Sequence, residues 1–198
     1  LVDTETIPQF LWPAAHPFAH WIVHHGEELF RGKRVLELGS GVGLAGFAAA
    51  QVGASCVVVS DCSVMSLGMM VESQRRWIKE EEEEVVESAS DKPSSNVVVA
   101  ELKWGSAEAV EALMNSLPHQ QEKNEKDTPP PPLFDIVIGC DVFYFNSSLK
   151  AGLRTAKAAL RSDGQGKFLC ASFVRSDRMD DDMLAMPAQY GFGERILE

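Results

Sequence analysis

Residues 35–46 read VLELGSGVGLAG and contain the pattern best suited to chemistry in this chain, Gly41-x-Gly43-x-x-Gly46. Asp61 lies 20 residues after Gly41, where an acid could hold a ribose in a dinucleotide site. Glycines of this kind let the backbone approach a ligand closely because they carry no side chain. The pattern therefore predicts a site for a nucleotide, a dinucleotide or an adenosyl-sulfonium compound.

The residues around these glycines distinguish between the candidate ligands. A phosphate-binding loop needs a lysine directly after its last glycine, and this chain has none there. Glu37 precedes the turn and places a carboxyl group where a pyrophosphate would have to lie. S-adenosylmethionine carries a sulfonium and an amino group, so it would be attracted by that acid. The turn favours S-adenosylmethionine, and an NAD-type oxidoreductase remains the alternative.

Composition limits the function further. The chain has 198 residues, of which 45% are hydrophobic and 24% charged, as expected for one globular domain spanning 1–198. Eighteen Lys and Arg against 29 Asp and Glu give a net charge of −11, which disfavours nucleic acid and anionic lipid as partners. The four cysteines show no CxxC spacing and lie among apolar or small residues, which favours reduced thiols in the core. We expect a monomer in the cytoplasm, or also in the nucleus, with no nucleic acid or membrane partner.

Short apolar runs alternate with helix-length segments along the chain. This order is typical of an α/β protein in which helices cover both faces of a mostly parallel sheet. Strands are predicted at 33–38, 56–60, 97–100, 134–140 and 167–174, with a further strand near the end of the chain. Helices are predicted at 43–52, from 62 to about 79, and at 106–117, 146–160 and 177–189.

Two polar segments and a histidine series stand outside this alternation. Residues 80–96 and 118–132 are rich in charge, serine or proline and are predicted to be exposed loop insertions. His16, His20 and His24 recur every four residues, so a helix would place them on one face. No nearby cysteine or acid completes a ligand set, and we predict no metal site.

Four segments, in order, carry a resemblance to a known family. They are LWPAAHPFAHWI at 11–22, VLELGSGVGL at 35–44, ELKWGS at 101–106 and FDIVIGCDVFY at 134–144. Together they resemble the class I, seven-β-strand methyltransferases that use S-adenosylmethionine, and more narrowly the protein-lysine methyltransferases with a D-x-x-Y motif. The resemblance implies a Rossmann-like three-layer sandwich. The sequence stops before the family's final strand, so we expect that strand to be missing.

The resemblance also implies which residues bind the cofactor. Residues 1–30 would cap the cofactor and the substrate. The backbone of the glycine turn would lie along the methionine part, Asp61 would accept hydrogen bonds from the ribose hydroxyls, and Trp104 would neighbour the adenine. The complete predicted set is Trp12, Glu37, Gly39, Ser40, Gly41, Asp61, Trp104 and Cys140. Alternatives remain open: Asp61 as a helix N-cap, and the two tryptophans and Cys140 as ordinary packing.

The D-x-x-Y motif of the resemblance falls on Asp141 and Tyr144. In that family's pattern the substrate is a lysine of a non-histone protein. Asp141 would orient the incoming amine, and Tyr144 would close the channel. The same residues could instead be a capping acid and a packed aromatic. Methylation of arginine or of a small molecule, and a binding module without catalysis, are alternative functions.

Overall fold

A five-stranded parallel sheet forms the centre of the molecule. The computed structural model describes residues 10–84, 96–117, 133–173 and 177–193. The strand order is β3-β2-β1-β4-β5, and every neighbouring pair is parallel. The strands are β1 (Arg34–Leu38), β2 (Cys56–Asp61), β3 (Val97–Glu101), β4 (Ile136–Cys140) and β5 (Lys167–Ala171). The predicted α/β class with a parallel sheet is confirmed.

Helices cover both faces of this sheet. They are α1 (Ala15–Leu29), α2 (Leu44–Gln51), α3 (Val64–Glu84), α4 (Ala107–Ser116), α5 (Asn146–Ala159) and α6 (Asp177–Gln189). Successive strand residues point to opposite faces, so Val35 packs with α1 and α2 while Leu36 packs with α4 and α5. This alternation yields two apolar cores with the sheet between them. The predicted three-layer sandwich is therefore present.

Helix α2 lies unusually close to the sheet because its sequence is LAGFAAAQ. Its small side chains leave little between the helix and the strands, and Ala45 and Ala49 are buried there. A Cβ atom at Gly46 would lie 2.4 Å from Cγ1 of Val59. Only glycine fits at this contact, and the close approach places the start of α2 directly beside the end of β1.

Several element boundaries differ from the prediction. Strand β4 begins at Ile136 because Phe134 forms an isolated bridge with Leu160, and β5 ends at Ala171. Residues 80–84 were expected in an exposed loop, which is wrong: α3 continues to Glu84, since glutamate is a good helix former. The remainder of that loop, 85–95, and the loop at 118–132 lie outside the described residues.

The two ends of the described chain also bear on the predictions. Pro17 lies in the first turn of α1, where its missing N–H costs no helical hydrogen bond. Residues 190–193 follow α6 without forming a strand, and the end of the further predicted strand, 194–198, lies outside the described residues. None of the helices described is long and apolar enough to cross a membrane.

Candidate active site at the carboxyl edge of the sheet

A cavity of about 260 Å³ opens where β1, β2 and β4 end. Open parallel sheets bind their ligands at this edge, in the crevice outside the carboxyl ends of the strands. The wall consists of Phe10, Leu11, Trp12, Ala15, Glu37, Gly39, Ser40, Gly41, Val42, Leu44, Ala45, Asp61, Cys62, Ser63, Cys140, Asp141, Val142 and Tyr144. We call it the carboxyl-edge cavity. Nine of the ten predicted site residues lie in its wall, and Trp104 does not.

A second hollow of about 430 Å³ lies at the opposite edge of the sheet, by the start of β1. It is shallow, and its charged groups already pair with one another: Arg161 forms ion pairs with both Asp135 and Asp163. The glycine turn does not contribute to it. Its position at the amino ends of the strands makes it the weaker candidate for the ligand site.

The glycine turn after β1 adopts a conformation that other residues rarely reach. Gly39, Gly41 and Gly43 have φ values of 61°, 55° and 83°. The turn is fixed to β2, because the Ser40 N–H donates to the carbonyl of Ser60 (2.9 Å) and the Ser60 N–H donates to Oγ of Ser40 (2.9 Å). The backbone beside the cavity is therefore rigidly held, and no side chain separates it from a ligand.

Glu37 already accepts the hydrogen bond from a backbone N–H group that a dinucleotide would need. Its side chain is buried, and its Oε2 accepts a hydrogen bond of 2.9 Å from the N–H of Gly46, in the first turn of α2. In dinucleotide-binding proteins this part of the helix receives the pyrophosphate. A carboxyl group in its place excludes that arrangement and argues against a nicotinamide cofactor.

The charge of Glu37 differs from the one expected from the sequence. Burial raises the pKa of Glu37 to about 8, although the hydrogen bond from Gly46 acts in the opposite direction. The carboxyl group is therefore largely protonated at neutral pH, where the sequence suggested a negative charge. A cation placed beside it would favour the ionised form. Glu37 can thus respond to the positive charge of a sulfonium ligand by releasing a proton.

Replacing Glu37 with glutamine should make stability less dependent on pH. The folded-state pKa of Glu37 is raised, so its stabilising contribution is complete below pH 4.5 and is lost as the pH rises towards 8. At pH 7 the loss amounts to about 3 kcal/mol by linkage. We expect Glu37→Gln to melt above the parent protein at pH 7–8, with the difference shrinking towards pH 5. Thermal melts across this range test it, and parallel curves would contradict the pKa shift.

Asp61 ends β2 and holds the turn from the other side. Its Oδ2 accepts a hydrogen bond from the N–H of Gly41 (3.1 Å), and its Oδ1 accepts one from the N–H of Ser63 (2.9 Å). Ser63, which directly precedes α3, directs its own Oγ towards the N–H of Ser66 at 3.5 Å. Asp61 is therefore not the cap of α3. Its oxygens retain lone pairs that can accept hydroxyl groups from the cavity.

Replacing Asp61 with alanine should weaken S-adenosylmethionine binding by about 1–3 kcal/mol, the usual cost of losing a charged hydrogen-bond partner. Glu101 offers a matched control, since it pairs in register with Asp61 on β3 but is exposed and outside the cavity wall. Calorimetry on both variants measures the effect. If the folded Asp61→Ala variant binds with unchanged affinity, Asp61 only holds the turn.

The segment at 11–22, which we call the W-P-A-A segment, meets the D-x-x-Y motif at the side of the cavity next to β4. The Trp12 ring packs against the Tyr144 ring, with centroids 5.3 Å apart and planes tilted by 59°. Asp141, which is buried, accepts a hydrogen bond of 2.9 Å at Oδ2 from the N–H of Ala14. Two segments far apart in the sequence thus form one wall.

Asp141 also accepts a hydrogen bond from the segment that follows β5. Its Oδ1 accepts a hydrogen bond of 3.0 Å from the N–H of Phe173. Asp141 has a φ of 52°, which is uncommon outside glycine but tolerated by Asp and Asn. The sequence suggested a carboxylate that orients a substrate amine. In the structure both oxygens accept backbone N–H groups, so this side chain joins α1, β4 and the end of β5.

Two further residues were predicted to lie at the cofactor, and only Cys140 lies in the cavity wall. Trp104 lies behind the turn, where a Cβ at Gly39 would meet its Cζ2 at 3.0 Å, and its ring makes an edge contact with Phe143. It supports the turn from outside the cavity wall. Cys140 does lie in the wall, and burial raises the pKa of its thiol above the ordinary range.

Some wall residues were not predicted. Cys62 is exposed beside Asp61, although the cysteines were expected in the core. Leu11 lies within the W-P-A-A segment and could have been found from its neighbour Trp12. His20 and His24 touch through their Nε2 atoms at 3.2 Å, on the exposed side of α1. Among the described residues, no group of three or more metal-ligating side chains could hold an ion.

The wall of the carboxyl-edge cavity has a distinctive charge pattern. It contains the carboxyl groups of Glu37, Asp61 and Asp141, and its described residues include no Lys, Arg or His. An anionic phosphate would meet no cation there, whereas a sulfonium and an amine would meet acids. Fold and cavity together define a Rossmann-like protein that suits a cationic adenosyl cofactor.

The family follows from comparison with known proteins. A family model described as lysine methyltransferase matches residues 3–186, so this chain belongs to that family. Membership confirms the resemblance read from the sequence and S-adenosylmethionine as the cofactor. It leaves the nicotinamide alternative without support.

Two curated relatives align with most of the chain. A histone-arginine methyltransferase, METTL23, from Xenopus laevis is 31% identical, over 84% of this chain and 58% of its own length. A calmodulin-lysine N-methyltransferase from Arabidopsis thaliana is 30% identical, over 87% of this chain and 47% of its own length. This chain therefore spans about half the length of either relative.

Solved structures share the fold. A putative RNA methyltransferase from Pyrococcus horikoshii superposes with a TM-score of 0.54 at 13% identity, covering 93% of this chain and 72% of that one. A precorrin 8W decarboxylase from Methanobacterium thermoautotrophicum gives 0.57 at 17% identity, covering 94% and 77%. At such identities the likeness establishes the Rossmann-like architecture alone.

Proposed function

We propose that this protein transfers a methyl group from S-adenosylmethionine to the side-chain amine of a lysine on another protein. The observation that carries the proposal is the wall of the carboxyl-edge cavity, whose described residues include acids and no basic side chain, in a member of the lysine methyltransferase family. A lysine methyltransferase must bring two cationic groups together, the sulfonium and the amine. The wall presents the carboxyl groups of Glu37 and Asp61, and its described residues include no cation that would repel either group.

The chain's own residues account for cofactor binding. Backbone of Gly39 and Gly41 would lie along the methionine part, Glu37 would face the charged groups, and Asp61 would accept the ribose hydroxyls. When bound, the cofactor supplies an electrophilic methyl group. The side chains are left with positioning and the exclusion of water, which are the main requirements for a direct transfer.

Tyr144 and Asp141 have different roles in this proposal. Tyr144 lies in the wall and presents an aromatic face with Trp12, suited to the aliphatic stem of a lysine. Asp141 acts as a positioning residue, because its carboxylate holds Ala14 and Phe173 in place. The amine must lose its proton before it reacts. Burial beside the cationic sulfonium would lower the pKa of a lysine entering there.

Arginine methylation is the second candidate function. The relative from Xenopus laevis carries that name and is as similar as the lysine-specific relative. Incubating the protein with a cell extract and S-adenosylmethionine labelled in its methyl group, then identifying the modified amino acid after hydrolysis, distinguishes the two. Methyllysine supports the proposal. Methylarginine alone contradicts it, and cofactor binding without any labelled protein indicates a binding module.

Location and assembly are part of the proposal. All four cysteines are free thiols, which suits a reducing compartment such as the cytoplasm or nucleus. The net charge of −11 opposes close self-association and supports a monomer. Light scattering on the purified protein measures its mass. A dimer at micromolar concentration would contradict this part.

A further inference from the structure

Two exposed aromatic side chains stand at the side of the carboxyl-edge cavity formed by β4 and β5. Phe145 is 73% exposed and Phe173 is 60% exposed. Large aromatics in water are costly unless a partner covers them, and such positions often mark binding surfaces. Phe145 directly follows Tyr144 of the cavity wall. The backbone of Phe173 donates to Asp141 of the same wall.

The sheet order shows which end of the cofactor these rings would face. Asp61, the predicted ribose partner, lies at the end of β2, while Phe145 and Phe173 follow β4 and β5 on the other side of β1. The nucleoside would thus lie towards β2. The methyl group would lie towards β4, and the target lysine would enter past Phe145 and Phe173.

Acidic residues of α6 lie near Phe145. Asp180, Asp181 and Asp182 are consecutive in α6, and Asp182 accepts a hydrogen bond of 2.7 Å from Nδ2 of Asn146, the residue after Phe145. Helix α5 has three basic residues; Lys150 is exposed, and the other two are directed elsewhere. Arg154 lies over the ring of Tyr190, and Lys157 donates to the carbonyl of Gly191. Helix α6 carries four aspartates against one arginine, so the surface beside Phe145 combines an exposed aromatic ring with net negative charge from α6.

We propose that Phe145 and Phe173 form an aromatic platform that binds an apolar side chain next to the target lysine, while α6 selects a positively charged segment. The inference rests on the proposed function and specifies its substrate. The partner is a basic segment of another protein in which leucine-like residues flank the lysine. Charge complementarity with an acidic chain and the position at the entrance both favour this occupant.

Short peptides with a central lysine test the platform. The probes carry leucine or serine on either side of the lysine and arginine or glutamate further out, with labelled S-adenosylmethionine as methyl donor. With the outer residues held the same, we expect leucine peptides to be methylated faster than serine peptides by about tenfold or more, as burial of one apolar side chain allows. With the inner residues held the same, arginine peptides should be methylated faster than glutamate peptides. The double variant Phe145→Ala, Phe173→Ala should lose the leucine preference and retain its melting temperature and cofactor affinity.

Val64 and Met65 provide matched controls. They are 85% and 50% exposed at the start of α3, on the β2 side, and neither lies in the cavity wall. The double variant Val64→Ala, Met65→Ala should keep the leucine preference. Lysine methylation at equal rates in every peptide set, or a preference that survives the Phe145 and Phe173 changes, overturns the platform and leaves the proposed function intact. Methylation of matched arginine peptides alone contradicts the proposed function, and the platform with it.

Discussion

Replacing Asp141 with asparagine is expected to lower stability and activity together. Asn tolerates the positive φ at this position, so the change tests the carboxylate and not the backbone. Asparagine has one oxygen where aspartate has two, so its NH₂ group would face either the Ala14 N–H or the Phe173 N–H. Leaving one buried donor unsatisfied costs about 1–3 kcal/mol. Melting temperature, cofactor affinity and turnover should all fall.

Asp182→Asn is the matched control for this prediction. Asp182 also accepts a hydrogen bond, but it is only partly buried and lies on α6 away from the cavity wall. Its replacement should alter the melting temperature little. If Asp141→Asn loses turnover while keeping its melting temperature and its cofactor affinity, the carboxylate serves the substrate amine directly. That outcome would restore the role expected from the sequence and contradict the positioning role.

Replacing Gly46 with alanine should also strongly lower both stability and cofactor binding. The new Cβ would lie 2.4 Å from Val59 Cγ1 and 2.7 Å from Glu37 Oε2, so α2 would have to move away from the sheet. Overpacking of this kind typically costs about 1–3 kcal/mol. The movement would also break the hydrogen bond from Gly46 to Glu37 and shift the glycine turn. We expect a lower melting temperature and a loss of cofactor binding.

Gly68 offers a control of the same chemistry. It lies inside α3, and a Cβ there would meet nothing within 4 Å. Alanine favours a helix by about 1 kcal/mol over glycine, so Gly68→Ala should raise the melting temperature. Differential scanning calorimetry of both variants compares the two sites. A Gly46→Ala variant that is stabilised to the same extent would show that α2 does not need the close contact.

Much of the cofactor half of the site could be predicted because its signals are local. A strand, a glycine turn and a helix follow one another within residues 34–51, and the fold then brings the acid at the end of the next strand to the same edge. Glu37, Gly41 and Asp61 therefore lie together in the wall of the carboxyl-edge cavity, and their contacts with the cofactor stay a prediction. The burial that protonates Glu37 could not be read from the sequence, since it depends on how closely α2 packs.

The rest of the site depends on contacts between distant segments. Asp141 accepts hydrogen bonds from the backbone N–H groups of Ala14 and Phe173. Nearly every residue has a backbone N–H group, so the sequence does not indicate which ones pair with Asp141. Trp104 follows the expected strand, but the sequence does not determine on which side of the turn its ring lies. Residues 80–84 show a different failure. A run of glutamates has the composition of a solvated loop and also a high helix propensity, and the helix prevailed.

The hydrogen bond between Ala14 and Asp141 has a consequence for how the protein is made. It joins residues 127 positions apart, a stretch that a ribosome needs roughly 6–25 s to synthesise. Until Asp141 and Tyr144 have emerged, Trp12 has no wall to pack against and is open to chaperones and proteases. A nascent chain that stalls before Asp141 would carry the complete glycine turn and still be unable to close the cavity. The cavity can therefore close only after β4 and Asp141 have been synthesised.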